Sequence, residues 1–218
     1  MRLVFLGAPG VGKGTQADRM AAQVGAKKIS TGDLLREAVR QGTKLGIEAK
    51  GYMDQGKLVP DSVVIGLVRD KLADPTYAKG FILDGFPRTV HQAEELGKVL
   101  REQGMQLDRV VNFQVPREAI VKRLSGRRSC PKCQATFHVE FAPSRSGEAC
   151  DRCQEKLVQR NDDTAEAIET RLKVYEEQTA PLISFYENQD LLSQLDGGGS
   201  VETVYQNLTK MLATHKMA

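Results

Sequence analysis

No stretch of this chain approaches the roughly 18 consecutive apolar residues that a helix needs to span a bilayer, so a helical membrane protein is excluded. No basic block is present either. Lys, Arg, Asp and Glu are interspersed and leave a net charge of only +3, which disfavours nucleic acid as a partner. The N-terminal apolar run is short and is broken at once by glycines, unlike a secretory signal. There is no internal repeat and no low-complexity linker; Gly197-Gly198-Gly199 is a local loop, too short to separate domains. A soluble cytoplasmic protein is therefore expected, with neither membrane nor nucleic acid among its partners. No exposed apolar stripe asks for a second subunit, so a monomer is expected. The 218 residues, 40% of them hydrophobic, suit one globular domain carrying insertions.

What is present begins at the N-terminus. Met1-Arg2-Leu3-Val4-Phe5-Leu6 predicts a buried strand that runs into Gly7-Ala8-Pro9-Gly10-Val11-Gly12-Lys13-Gly14-Thr15. The glycines let the backbone curl until its N–H groups converge on phosphate oxygens. Lys13 adds a mobile positive charge, and the following helix offers its positive dipole end. This is a P-loop, departing from the general pattern only in that Gly14 separates Lys13 from Thr15. By itself it does not choose between GTPases, ATPases and kinases.

Further strands are predicted at Lys28-Ile29-Ser30, Gly80 to Asp84, Val110 to Val115 and Leu191 to Leu195. Strands alternating with helices imply an α/β fold with a parallel sheet, whose ligands sit at the carboxyl ends of the strands. Thr89 with Gln92 forms a capping-box pattern. Asp163, with Glu166 three residues on, is expected to cap a long helix, and Ser200 the final one. Pro60-Asp61 opens a helix that turns Val63, Val64, Leu67 and Val68 inward. Residues 30–59 and 126–163 interrupt the alternation and are read as insertions able to cover a ligand.

The second insertion holds Cys130-Pro131-Lys132-Cys133 and, after sixteen intervening residues, Cys150-Asp151-Arg152-Cys153. Two such knuckles match a tetrahedral four-thiolate zinc site, closed to water and therefore structural. Redox dithiols or disulfides suit a cytosolic chain poorly. Phe137, Val139 and Phe141 alternate with polar residues, as in the strands of a small zinc ribbon. His138 is expected on the surface, since four sulfurs already complete the shell.

The P-loop, Ser30-Thr31-Gly32-Asp33-Leu34-Leu35-Arg36, Asp84-Gly85-Phe86-Pro87-Arg88-Thr89 and Gly126-Arg127-Arg128 together resemble the nucleoside monophosphate kinases. With the four-cysteine insertion, the chain is similar to the long-lid bacterial-type adenylate kinases over essentially its whole length. The resemblance implies a three-layer P-loop fold with a five-stranded parallel sheet. Its core would be residues 1–29, 60–125 and 164–218, with a helical AMP-binding insertion at 30–59 and a zinc-binding lid at 126–163.

It also implies reversible transfer between Mg²⁺-bound ATP and AMP, giving two ADP. On the ATP side it implicates Gly10, Val11, Gly12, Lys13, Gly14 and Thr15, then Arg123 and Arg127, Thr136 and Phe137 in the lid, and the Gly199 carbonyl. Arg123 and Arg127, four apart at a helix end, are expected to share one face. On the AMP side it implicates Thr31, Arg36, Lys57, Leu58, Val59, Gly85, Phe86, Pro87, Arg88 and Gln92. Gln92 carries the amide donor and acceptor that an adenine edge requires, although the capping box competes for it. Arg160 and Arg171 would bridge the two nucleotides' phosphates, Asp84 would orient Mg²⁺, and Asp162 and Asp163 would position the lid and its arginines. Lys13, Asp84, Arg88, Arg123, Arg160 and Arg171 form the expected catalytic set. Arg19, Arg69 and Arg101 are expected to be solvated surface residues. Many long-lid relatives fill the knuckle positions with polar residues, so the metal here is expected to stabilise rather than react.

Overall fold

The computed structural model describes residues 1–214, so the last four residues of the expected core segment 164–218 lie outside the described residues. The chain runs β1 (Arg2–Leu6), α1 (Lys13–Val24), β2 (Lys27–Ser30), α2 (Thr31–Arg40), α3 (Lys44–Asp54), α4 (Asp61–Leu72), β3 (Phe81–Asp84), α5 (Val90–Glu102) and β4 (Arg109–Gln114). It continues through α6 (Arg117–Ser125), β5 (Arg127–Ser129), β6 (Thr136–His138), α7 (Ala165–Val174), α8 (Leu182–Glu187), β7 (Leu192–Asp196) and α9 (Val201–Thr214). β1, β2, β3, β4 and β7 form one parallel sheet in the order β2-β3-β1-β4-β7. Val4 lies opposite Leu83 on one side and Val110 on the other.

The three central strands, β3, β1 and β4, are near-continuous apolar runs because both faces are covered, whereas the edge strands β2 and β7 are more polar and partly exposed. Val4, Leu83 and Val110 face a layer formed by α4, α5 and α8, where Val68, Leu96 and Tyr186 are buried. Leu3, Phe5, Ile82 and Phe113 face α1, α6, α7 and α9, packing against Met20, Leu124, Leu172 and Leu208. Phe5 and Phe113 meet edge to face, with centroids 5.0 Å apart. Burying each such side chain stabilises the fold by about 1.5–3 kcal/mol. Among the described residues no helix is long and apolar enough to cross a membrane.

Local chemistry sets the helix starts. Ser30 Oγ accepts from the Asp33 N–H (3.3 Å), Thr43 Oγ1 from Gly46 (3.1 Å), Thr89 Oγ1 from Gln92 (3.1 Å) and Ser200 Oγ from Thr203 (3.1 Å). One expected cap is wrong: α7 is capped by Thr164, whose Oγ1 accepts from Ala167 at 3.3 Å. Asp163 instead lies in a short 3-10 turn and is buried, because two arginines claim its carboxylate. β6 is also shorter than the alternating pattern predicts. Val139 and Phe141 are exposed, and His138 points inward. The imidazole is drawn in by three bonds. Its Nδ1 accepts from the N–H groups of Glu140 and Phe141, both at 3.0 Å, and Nε2 lies 3.2 Å from the Lys122 carbonyl at the end of α6. His138 thus fastens β6 to the core helix rather than facing solvent.

Candidate active site

The carboxyl ends of β1 and β3 open onto a cleft of about 1360 Å³, larger than the about 300–1,000 Å³ of a usual small-molecule site. Residues 10–15 line it. Gly10 has φ +86°, and a Cβ there would stand 2.8 Å from Leu124, so only glycine fits. α1 starts with no side-chain cap and no acid in its first turn, leaving its N–H groups available to an anion. The unusual Gly14 has a physical reason: a Cβ there would lie 3.1 Å from Asp84 Oδ2. The glycine lets the helix pass close to the carboxylate that ends β3. Lys13 folds back over the loop and donates to the carbonyls of Gly7 (2.6 Å) and Ala8 (2.9 Å). Surrounding protein lowers the Lys13 pKa from 10.5 to about 8, with Arg88, Arg171 and Arg127 adding to the shift against Asp84.

Arg123 reaches the cleft from α6, donating to the carbonyls of Gly197 (2.9 Å) and Val11 (3.3 Å). Arg127 does not share its helical face as expected. α6 ends at Ser125, and Arg127 lies in β5. Both still line the cleft, together with Thr136, Phe137 and Gly199.

The opposite wall carries Arg36, Lys57, Leu58, Gly85, Pro87 and Arg88. Arg36 Nη2 is 2.5 Å from Asp33 Oδ1, while its buried Nε has no hydrogen-bond partner. Burial works against the Asp33 charge, but Arg36 outweighs it and holds the carboxyl below its usual range. Arg88 Nε donates to the Gly85 carbonyl at 2.8 Å. Its pKa is lowered, first by burial and then by Arg171.

Between the walls stand Arg160 and Arg171. Arg160 Nε donates to Ser129 Oγ at 2.7 Å, and burial followed by Arg36 lowers its pKa. Arg171 Nη1 lies 3.1 Å from both Asp162 Oδ2 and Asp163 Oδ1. Asp163 also receives Nε (2.8 Å) and Nη2 (2.5 Å) of Arg127. The two carboxylates therefore orient two arginines, one from α7 and one from β5.

Four of the expected nucleotide-contacting residues, Thr31, Val59, Phe86 and Gln92, are buried outside the cleft lining, as is the positioning residue Asp163. Thr31 Oγ1 donates to the Gly85 carbonyl (2.8 Å), and Phe86 and Val59 belong to the core. Gln92 Oε1 accepts from the Arg88 N–H (2.7 Å) and Nε2 donates to Asp61 Oδ1 (2.7 Å). Its carbonyl oxygen and its amide group each keep capacity for one more bond.

Several cleft residues were not expected. Lys28 and Asp33 line it 3.6 Å apart; the signal was Asp33 standing three residues before Arg36, the spacing of helical ion pairs. Arg19, expected to be a solvated surface residue, lines the cleft, binds Glu202 at 2.6 Å and sits over the Tyr205 ring at 4.1 Å. Outside the cleft lining, Asp61 holds Gln92 and Thr89 from the first turn of α4; its place at a helix start was legible, its two partners were not.

The four cysteine sulfurs all lie within 4.8 Å of one another, with Cys130–Cys153 at 3.4 Å and Cys133–Cys150 at 3.5 Å. These separations exceed the S–S bond of about 2.05 Å and suit four thiolates around one small cation. N–H groups of Cys133 and Arg152 point at Cys130 Sγ and Cys150 Sγ, both at 3.4 Å, stabilising thiolates. The donor set therefore fits a closed metal site.

Residues 5–191 match the adenylate kinase family model. The chain is 50% identical over 212 residues to the adenylate kinase of Syntrophobacter fumaroxidans, covering 97% of this chain and 100% of that protein. It is 54% identical over 204 residues to that of Geobacter sp. strain M21, covering 94% and 95%, and 49% identical over 212 residues to that of Archaeoglobus fulgidus, covering 97% and 98%.

Proposed function

The chain belongs to the adenylate kinase family, and we propose that its cleft holds two nucleotides end to end, ATP on the P-loop and AMP against Arg36 and Arg88. As an adenylate kinase it moves the terminal phosphoryl group of ATP reversibly onto AMP, giving two ADP. One observation supports the two-nucleotide reading above others: cations line both walls and the space between them. A module that bound one nucleotide would need one wall only.

In this reading residues 10–15 hold the ATP polyphosphate through main-chain N–H groups, and Lys13 leaves its carbonyls to follow the transferred group. Arg123 and Arg127 grip ATP as the lid, residues 126–163, shuts, with Thr136, Phe137 and the Gly199 carbonyl around the base and sugar. The AMP phosphate meets Arg36 and Arg88, whose planar guanidiniums match phosphate oxygens. Lys57, Leu58 and Val59, Gly85 to Pro87, and Thr31 shape that pocket, and Gln92 reads the adenine through its remaining donor and acceptor. Arg160 and Arg171 span the two phosphate groups. Asp84 faces Mg²⁺ carried with ATP, which supplies charge neutralisation at the phosphates. The core, 1–29, 60–125 and 164–218, contributes little covalent chemistry; positioning, charge and exclusion of water do the work. The cysteine site takes Zn²⁺ and holds the lid's shape. The protein acts as a cytoplasmic monomer.

The test offers purified protein ATP with AMP, UMP, CMP or GMP separately and follows ADP. AMP should be the preferred acceptor, and Lys13→Met should abolish transfer without unfolding. Wild-type-like turnover in that variant, or preference for another acceptor, would overturn these assignments.

A further inference from the structure

We propose that Arg40 is a positioning residue that latches the acceptor-side insertion to the cysteine knuckle when the cleft is shut. Arg40 ends α2 and does not line the cleft, so it has no direct path to either nucleotide. Its Nη1 donates to the carbonyls of Pro131 (2.9 Å) and Lys132 (2.6 Å), ninety-odd residues away in the first knuckle. Glu37, one turn earlier, pairs with Nη2 of the same guanidinium and steers it toward the knuckle. The other Glu37 oxygen is fixed by Gln41 Nε2 at 2.6 Å.

The acceptor end is oriented just as firmly. The Lys132–Cys133 peptide turns its N–H toward Cys130 Sγ at 3.4 Å. In a planar trans peptide the carbonyl on the same plane points the opposite way. The bond that shapes the metal site thus aims the Lys132 oxygen outward, at Arg40. A second contact joins the same two segments, Asn161 Nδ2 to Asp54 Oδ1 at 3.3 Å.

A contact made in only one of two conformations shifts their ratio by its own free energy. Charged hydrogen bonds at an exposed site justify a shift of about fivefold, or about 1 kcal/mol at 1.4 kcal/mol per tenfold. The inference rests on the two-nucleotide reading above, and wild-type turnover in the same assay separates failure of one from failure of the other.

The experiment places a dye pair through unnatural amino acids at the exposed Ile47 and Glu148, sparing the cysteines. Closed fraction is read by energy transfer without nucleotide and with saturating ADP, beside steady-state kinetics. In Arg40→Met the closed-to-open ratio should fall about fivefold, with KM for ATP and AMP rising together and kcat undiminished. Arg40→Lys should restore part of the ratio, and unfolding temperature should not move. Arg40→Gln repeats the test if Met disturbs α2. A closed ratio and both KM values within about twofold of wild type would overturn the latch, as would lost kcat at unchanged KM.

Discussion

Asp163→Asn tests the network that ties β5 to α7. The substitution keeps size and removes charge. The wild-type carboxylate is fully buried and accepts two bonds from Arg127 and one from Arg171. An asparagine can accept with one oxygen, but its amide would confront a guanidinium donor. Removing one partner of a buried pair costs about 3–5 kcal/mol because the other charge is stranded. Arg127 and Arg171 keep 15% and 17% of their side-chain exposure, so water relieves part of that cost. The lower end, about 3 kcal/mol, is expected, corresponding to a fall in unfolding temperature of about 6–12 °C for a chain of this size. Denaturant unfolding at neutral pH measures it. A double-mutant cycle with Arg127→Met isolates the pair, where a coupling of about 2 kcal/mol is expected. KM for ATP should rise as Arg127 loses its orientation. Asp163→Asn stability within about 1 kcal/mol of wild type, or additivity within about 0.5 kcal/mol, would refute the argument.

Three further outcomes are expected. Because the Lys13 pKa is lowered to about 8 in the free protein, its folded form holds fewer protons than the unfolded form between there and the ordinary value. Lys13 therefore weighs against folding at neutral pH, and that penalty fades as pH rises above 8. A polyphosphate would raise the pKa again, so ATP binding at about pH 8.5 should take up protons, visible by calorimetry in buffers of different ionisation enthalpy. Proton-neutral binding, or uptake that survives Lys13→Met, would contradict this. Chelating the metal, with metal analysis of the same sample, should lower the unfolding temperature while folded protein still turns over at raised KM; complete loss of transfer with the lid folded would show a chemical role. Arg88→Met should abolish transfer yet stabilise the nucleotide-free protein by about 0.5–2 kcal/mol in thermal unfolding, and a loss of stability would count against an uncompensated charge at that position.

The sheet was legible because its three central strands are apolar runs bounded by glycine or charge; the edge strands β2 and β7 carry a weaker signal, and each of the five expected segments matches an observed strand within a residue or two. The P-loop and the cysteine knuckles were legible because their chemistry is local in sequence. What failed to show depended on partners far along the chain. Asp163 and Thr164 are both good caps, and nothing near them reveals that Arg127 and Arg171 converge on the first. Arg127 looked helical from its spacing to Arg123, but Gly126 lies at the helix end. His138 was misjudged because a complete four-sulfur shell rules out a ligand role but says nothing of other hydrogen bonds, and Val139 and Phe141 because alternation assumes that apolar side chains seek a core. The cluster around the knuckles is small: Cys130 and Cys150 are buried with Ala135, and Val139 and Phe141 stay exposed. Three polar partners then recruit the imidazole instead.

The cations of the cleft divide by what balances them. Arg36, Arg127 and Arg171 each face a carboxylate, so their charge is matched before any nucleotide arrives. Lys13, Arg88, Arg123 and Arg160 lean on neutral oxygens: loop carbonyls for the first three, and the Ser129 and Thr136 hydroxyls for the last. All four have lowered pKa values, with burial the leading cause. Neutral dipoles hold these groups in place, and carboxylates farther off, Asp84 for Lys13 and Arg88, Asp196 for Arg123 and Asp162 for Arg160, offset only part of the burial cost; phosphate oxygens would supply more. Burial lowers the Arg171 pKa as well, against Asp162 and Asp163, so the division is one of degree: the four without an ion pair carry a stability cost that a bound polyanion would reduce. If the cleft holds two nucleotides as proposed, that difference would favour its closure, because each added phosphate would relieve cations that both walls share.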